Sequence, residues 1–178
     1  MVTIHSHHRK TIRLKEYDYS LPGGYFITIC TYEKQCILSD IVDGEVCLRD
    51  AGKIVETCWH DIPNHFPDVE IDEFICMPNH VHGIVIIHEP VGAIHESPLP
   101  ASVYDRRTMM LPKIIGRLKM NSAKQINNIF GTSGSHVWQR NYYEHIIRDE
   151  RDLSNARQYI LNNPLKWNLD DEIPGNIR

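Results

Sequence analysis

The sequence predicts an α+β fold: a ferredoxin-like antiparallel sheet with helices on one face and an extra C-terminal helix. Predicted elements follow the order strand, helix, strand, strand, helix, strand, helix, and only the two middle strands are joined directly, as in a split βαβ arrangement. The 178 residues are 42% hydrophobic and 24% charged, without an internal repeat. This is the composition of one globular domain with its own core, so residues 1–178 are taken as a single domain.

The first strand and the first helix are predicted from composition and periodicity. Residues 25–32 are rich in β-branched and aromatic side chains, which favours a core strand. Asp43-Gly44 is a turn signal within residues 33–50, which are expected to form a loop or a small hairpin. Apolar residues recur with a helical period over residues 51–65. Residues 1–16 are expected to be a basic arm with weak local order.

A hairpin is predicted in the middle of the chain. The first of its strands, residues 69–77, should place on one face Val69, Ile71, Ile75 and Met77. Pro78-Asn79 then turns the chain into an apolar strand over residues 80–88. Because the connection is so short, the two strands should pair with each other.

The second half begins with a long segment of loop composition. Proline, glycine and serine between residues 90 and 110 predict a mobile loop. A helix over 111–129 follows, and residues 136–148 have the composition of a long strand. Asp149 should cap a last helix that runs to about Asn162 and is ended by Pro164. The inward stripe of the 111–129 helix is predicted to be Ile114, Ile115, Leu118, Ser122, Ile126 and Ile129.

Two histidines open the 80–88 strand. His80 and His82 are two residues apart, so their side chains should point to the same face of the sheet. A pair of imidazoles on a rigid strand can form half of a divalent-metal site. The pattern is short, however, and an ordinary strand end with two exposed histidines would read the same way.

A tyrosine and an asparagine share a face of the last predicted helix. Tyr159 and Asn163 are four residues apart, so a phenol would lie one turn from an amide oxygen. The alternative is a tyrosine that packs on the sheet and an asparagine that caps the helix end. Because Asn163 precedes Pro164, helical geometry is disfavoured there and its reach is less certain.

Charge and cysteine content limit the classes of function. The net charge is −4, yet no acidic residue occurs between Arg106 and Tyr143. This segregation predicts either a local phosphate-binding face or simply a solvated helix face. The side chains expected to contact nucleic acid are Lys113, Arg117, Lys119, Lys124 and Arg140. Five cysteines without C-x-x-C spacing, no secretory signal and no membrane-length apolar run predict a cytoplasmic protein with reduced thiols.

Three blocks, in this order, resemble the REP-associated tyrosine transposases, which are single-tyrosine members of the HUH (histidine, hydrophobic, histidine) nuclease superfamily. The blocks are MPNHVHG at residues 77–83, VWQRNYYEHIIRDE at 137–150 and YILNNPLKW at 159–167. Residues 17–20 and 25–31 are also similar to the opening strand of that family. The resemblance covers residues 17–167 and leaves the basic arm and the 90–110 loop unmatched.

The resemblance implies a role for each motif residue. His80 and His82 match the ligands of a Mg²⁺ or Mn²⁺ ion, Asn163 matches the polar residue that completes the metal shell, and Tyr159 matches the nucleophile. The implied substrate is single-stranded DNA with a REP-like hairpin, cleaved and joined through a 5′-phosphotyrosine intermediate. Some relatives share composite sites between two subunits, so a homodimer stays open.

Two other functions remain compatible with the sequence. The first is a hairpin nucleic-acid-binding module that has lost transposition. The second is a hydrolytic metalloenzyme in which water is the nucleophile, although no further ligand follows the histidine pair closely. Trp138 and Tyr142 are candidates for stacking on unpaired bases, although strand aromatics more often pack in the core.

Overall fold

The computed structural model describes residues 21–89 and 109–167. The predicted arm at 1–16 and nearly all of the predicted loop at 90–110 lie outside these ranges. No helix within them is long and apolar enough to cross a membrane. The elements are β1 (Gly23–Cys30), β2 (Ser39–Val42), β3 (Glu45–Leu48), α1 (Asp50–His60), α2 (Ile62–His65), β4 (Val69–Cys76), β5 (His80–Ile87), α3 (Met110–Phe130), β6 (Tyr143–Ile147) and α4 (Glu150–Lys166).

The main sheet has four strands in the order β4-β5-β1-β6, and every neighbouring pair is antiparallel. The predicted hairpin of the middle strands is present as β4 and β5. Strands β2 and β3 form a separate small hairpin, and its turn residues Asp43 and Gly44 both have positive φ angles. The predicted fold class is therefore confirmed.

One face of the sheet carries the core. Tyr25, Ile27 and Ile29 of β1 are fully buried and belong to one apolar cluster with the inward residues of α1 and α3. The Trp59 ring of α1 occupies the space where a side chain at Gly83 of β5 would lie. A Cβ atom at Gly83 would lie 2.4 Å from Cη2 of Trp59.

The opposite face is covered in part by the C-terminal helix α4. Phe26 and Thr28 alternate with the core residues of β1 and therefore point to this face. His82 pairs with Thr28 across the two strands, so its side chain points to the same side. The extra helix predicted from the sequence thus lies across the sheet from α1 and α3.

Strand β4 contains a bulge that changes the predicted faces. Between Ile71 and Phe74, two residues oppose one residue of β5. As a result Phe74 stacks on Trp59 on the core side, with ring centroids 4.7 Å apart. Ile75 pairs with His82 instead. The prediction that Ile75 shares a face with Val69 and Ile71 is wrong, because strict alternation holds only without a bulge.

The strand predicted over 136–148 is wrong in its first half. Only Tyr143–Ile147 is regular, preceded by an isolated bridge between Thr31 and Trp138. The carbonyl oxygens before β6 are bonded differently: Nζ of Lys119 donates to those of Gln139 and Asn141, both at 2.9 Å. A lysine side chain thus replaces part of a strand ladder.

Both long helices extend slightly further than predicted. Helix α3 ends at a left-handed Gly131, and Ile129 in its last turn is exposed rather than inward as predicted. Helix α4 begins as expected, with Asp149 Oδ1 accepting from the Asp152 backbone N–H at 2.8 Å. The prediction that this helix ends at Pro164 is wrong, because Pro164 lies buried inside its final turn. A proline there removes a single backbone donor, and the helix continues to Lys166.

Candidate active site

Strand β5 brings two imidazoles together. Both His80 and His82 are buried, at 3% and 4% exposure, and their Nε2 atoms lie 3.0 Å apart. Two nitrogens that each lie about 2.1 Å from one cation, at right angles, would be separated by about 3.0 Å. The alternative of two exposed histidines at a strand end does not describe this arrangement.

Hydrogen bonds to neighbouring side chains fix both rings. Nδ1 of His80 lies 2.6 Å from Oδ1 of Asn79, and Nδ1 of His82 lies 2.8 Å from Oγ1 of Thr28. An amide oxygen only accepts, so Nδ1 of His80 donates and its Nε2 keeps a lone pair. Such partners on the outer nitrogen commonly orient imidazoles that bind a metal.

Burial keeps His82 in its neutral form. The pKa of His82 is lowered to about 3, mainly by desolvation and also by the neighbouring His80, while a hydrogen bond with the backbone of Ile27 opposes the shift. Neutral imidazole is the form that coordinates a cation, so His82 is ready to bind one throughout the physiological pH range.

Helix α4 places a phenol against the histidines. The ring of Tyr159 lies edge-on to that of His82, with centroids 5.2 Å apart, and also contacts Phe26 at 5.7 Å. The tyrosine is nevertheless 44% exposed and lines the cleft between β1, β6 and α4. In this structure all of these groups belong to one chain.

An ion pair secures this helix to the sheet. Arg157, two residues before the tyrosine, donates to both carboxylate oxygens of Asp72, at 2.9 and 2.5 Å. Asp72 lies in the bulge of β4, and its hydrogen bond with Arg157 lowers the pKa of that carboxyl group. The bidentate pair therefore connects the tyrosine helix to the strand beside the histidines.

Asn163 lies one turn after the tyrosine and is 3% exposed. Its Oδ1 atom is buried without a hydrogen-bond partner in the described part of the chain. A buried oxygen in this state is costly unless something else binds it. No group of three His, Cys, Asp or Glu side chains within 21–89 and 109–167 forms a metal-ligand set. The residue predicted to complete the metal shell therefore keeps an unpartnered oxygen in this part of the chain.

Comparison with known proteins gives the family. A Haemophilus influenzae protein of uncharacterised function is 43% identical in an alignment 176 residues long that covers 92% of each chain. A second protein of that organism, named "Putative REP-associated tyrosine transposase", is 30% identical over 150 residues, which are 84% of this chain and 74% of that one. The chain belongs to the REP-associated tyrosine transposase family. No protein-family model matches it.

The fold agrees with this membership. A solved structure of a REP-associated tyrosine transposase bound to a REP hairpin superposes with a TM-score of 0.55. The match covers 89% of this chain and 74% of that one at 18% sequence identity. At this identity the likeness concerns the architecture alone.

In this transposase-family chain, the lysines and arginines predicted to contact nucleic acid lie away from the histidines. Lys113, Arg117, Lys119 and Lys124 are on α3, across the sheet from α4. The Arg117 guanidinium donates to Nε2 of His65 at 2.7 Å, and Lys119 holds the carbonyls before β6. Arg140, in that same segment, is exposed. Phosphate binding by these five residues stays a prediction.

A cleft of about 650 Å³ opens beside the tyrosine, between β1, β6 and α4. The residues that the sequence interpretation missed are concentrated here. Thr28 and Tyr143 line the cleft from the sheet and Asn155 lines it from the helix. Trp138, one of the aromatics considered for stacking, is buried, and its Nε1 donates to Ser122 Oγ at 3.0 Å. Tyr143 of β6 is exposed instead, and it lies on the face of the sheet opposite to that of its neighbour Tyr142; this alternation was the available signal.

Proposed function

We propose that this protein is a metal-dependent single-stranded DNA transposase that cleaves and joins hairpin-containing DNA through a 5′-phosphotyrosine intermediate. The observation that carries the proposal is the contact between Tyr159 and His82, whose Nε2 lies 3.0 Å from that of His80. The family membership supports the transposase class. The fold relative that is bound to a REP hairpin supports a hairpin as the substrate.

His80, His82 and the Oδ1 atom of Asn163 would hold the cation, Mg²⁺ or Mn²⁺. Mg²⁺ prefers oxygen ligands, whereas a set with two imidazoles is more favourable to Mn²⁺. When bound, the ion would polarise the scissile phosphate and orient it for in-line displacement. The unpartnered oxygen of Asn163 fits this role because coordination would satisfy it.

The protein's own groups define the chemical steps. The hydroxyl oxygen of Tyr159 forms a bond to the scissile phosphorus, and the bond from phosphorus to the 3′ oxygen breaks. The phenol loses its proton and the departing 3′ oxygen gains one. The product is a 5′-phosphotyrosine and a free 3′-hydroxyl group, and attack by another 3′-hydroxyl reverses the sequence and releases the enzyme. Because the phosphodiester energy is kept in the covalent intermediate, strands can be joined without another energy source.

The remaining contacts position these groups. Thr28 and Asn79 orient the two imidazoles through their Nδ1 atoms. The pair of Arg157 and Asp72 fixes the helix that carries the nucleophile. The cleft beside the exposed Tyr159 would receive the DNA strand.

The test is incubation with labelled single-stranded hairpin DNA and Mn²⁺, followed by a denaturing gel. We expect a covalent protein–DNA adduct that is lost in Tyr159→Phe and kept in the matched control Tyr32→Phe, an exposed tyrosine outside the cleft. Cleavage that persists in Tyr159→Phe would indicate water as the nucleophile. Hairpin binding by the wild-type protein without any adduct would indicate a binding module. Either result overturns the proposal.

A further inference from the structure

The cleft beside Tyr159 has an aromatic wall that the proposed chemistry does not use. Tyr143 is 41% exposed and lies directly opposite Thr28 in the pairing of β1 with β6. Side chains directly opposite each other share a face, so its ring stands on the same side of the sheet as Phe26, His82 and the nucleophile. An exposed aromatic ring at a nucleic-acid site is a surface on which an unpaired base can stack.

Asp152 also lines the cleft, and its charge disfavours a phosphate beside it. Both carboxylate oxygens of Asp152 lie within 3.1 Å of Nε2 of His145, and one also accepts from the Arg148 backbone N–H at 3.2 Å. These contacts, His145 first, lower the pKa of Asp152, so the carboxylate is charged at neutral pH. The negative charge of Asp152 would repel a DNA phosphate but would not repel a neutral base.

Asn155 faces the same cleft from α4, one turn before Tyr159. Its amide offers one acceptor and two donors side by side. Base edges present donors and acceptors in matching adjacent pairs, which is why asparagine can bind a base through two hydrogen bonds. The cleft therefore combines a stacking ring and an edge-reading amide, both next to the nucleophile.

We propose that Tyr143 and Asn155 form a subsite for one unpaired base, that of a nucleotide joined to the scissile phosphate. This inference rests on the proposed function, because a nucleophile that attacks a phosphate lies beside the two nucleotides which that phosphate links. Tyr143 stacks on the base, and Asn155 reads its edge. The subsite determines which nucleotide lies next to the cut, separately from recognition of the hairpin.

The experiment combines protein variants with altered DNA. Hairpin substrates with a single abasic nucleotide, placed on either side of the cleavage point, are compared with the intact strand in the adduct assay with Mn²⁺. We expect Tyr143→Ala to slow adduct formation on intact DNA by about fivefold or more, the effect of losing one stacked base. On the substrate that lacks the relevant base, Tyr143→Ala should cause no further loss, and Tyr143→Phe should behave as wild type throughout.

Asn155 is tested by base preference. Asn155→Ala should reduce the difference in rate among A, C, G and T at the position next to the cut. Its matched control is Asn162→Ala, another exposed asparagine of α4 that does not line the cleft. Tyr32→Ala serves as the control for removing an exposed tyrosine.

The outcomes separate the two proposals. If wild-type protein forms no adduct, the proposed function fails and the subsite fails with it. If the adduct forms but abasic DNA reacts as fast as intact DNA, the subsite alone is overturned, and this test does not depend on the folding of any variant. A slowing by Tyr143→Ala that is equal on intact and on both abasic substrates also overturns the subsite, because the ring would then act without a base.

Discussion

The close contact between Gly83 and Trp59 makes a substitution at this glycine a sharp test of how α1 packs on the histidine strand. In Gly83→Ala the new methyl carbon would lie 2.4 Å from Cη2 and 2.6 Å from Cζ2 of Trp59. Carbon atoms normally approach to about 3.5–4.0 Å, so the ring would have to retreat by about 1 Å or more. The Trp59 ring is fully buried and stacks on Phe74, so there is little space for this movement.

The expected cost follows from this geometry. Overpacking a core by a methyl group costs about 1–3 kcal/mol, and the blocked retreat places this site in the upper half of that range. Loss of backbone freedom in the unfolded chain offsets about 0.5 kcal/mol. A net destabilisation of about 2 kcal/mol lowers the melting temperature of a chain of this size by about 4–8 °C.

The assay is thermal and urea unfolding of four proteins: wild type, Gly83→Ala, Trp59→Phe and the double variant. Phenylalanine lacks the two atoms that the methyl group would strike, so the alanine should cost at least about 1 kcal/mol less in that background. Gly116→Ala is the matched control, because a Cβ atom there meets nothing within 4 Å. An unchanged melting temperature for Gly83→Ala, or an equal penalty in both backgrounds, would refute the reasoning.

Three further predictions concern the site. Thr28→Val removes the hydroxyl that lies 2.8 Å from Nδ1 of His82 and keeps the side-chain shape. The Mn²⁺ concentration for half-maximal adduct formation should then rise about 10- to 100-fold, while Thr28→Ser should stay close to wild type. An equal Mn²⁺ dependence in Thr28→Val and wild type would show that Thr28 does not orient His82. Asp72→Asn should destabilise the protein at pH 7 by less than about 1 kcal/mol, since Arg157 is 42% exposed. Because folding lowers the pKa of Asp72, the stabilisation by its ion pair is complete above about pH 4 and is lost as the pH falls further. The urea-unfolding free energies of the two proteins should therefore converge in acid, and a pH-independent difference would contradict this role. Mixing Tyr159→Phe with His82→Ala should not restore adduct formation, because phenol and imidazole meet within one chain; restored activity on the gel would show that subunits exchange α4.

The histidine pair was predictable because its geometry is local. Alternation along a strand is enough to place His80 and His82 on one face, and residues two apart need no knowledge of the rest of the fold. Thr28 was not predictable in this way, since it meets His82 through a register between strands that are 54 residues apart in sequence. Contact between Tyr159 and His82 likewise depends on how α4 docks, so the resemblance to a family carried that expectation.

Other misses have similarly specific causes. The segment before β6 has strand composition, but Lys119 satisfies its carbonyls, and composition does not reveal that a side chain will do so. Pro164 was expected to end α4, yet a proline in a final turn removes only one hydrogen bond. Ile129 continues the helical period of α3 but lies beyond the part of that helix which packs on the sheet.

The bulge in β4 makes the length of this strand a functional constraint. Deleting one residue between Ile71 and Phe74 would remove the bulge, but it would keep the pairings of Phe74 with Gly83 and of Ile75 with His82. The same deletion would remove or displace Asp72, the anchor of Arg157. A change of one codon, far in sequence from the nucleophile, would thus loosen the tyrosine helix while the strand that carries the histidines stayed paired as before.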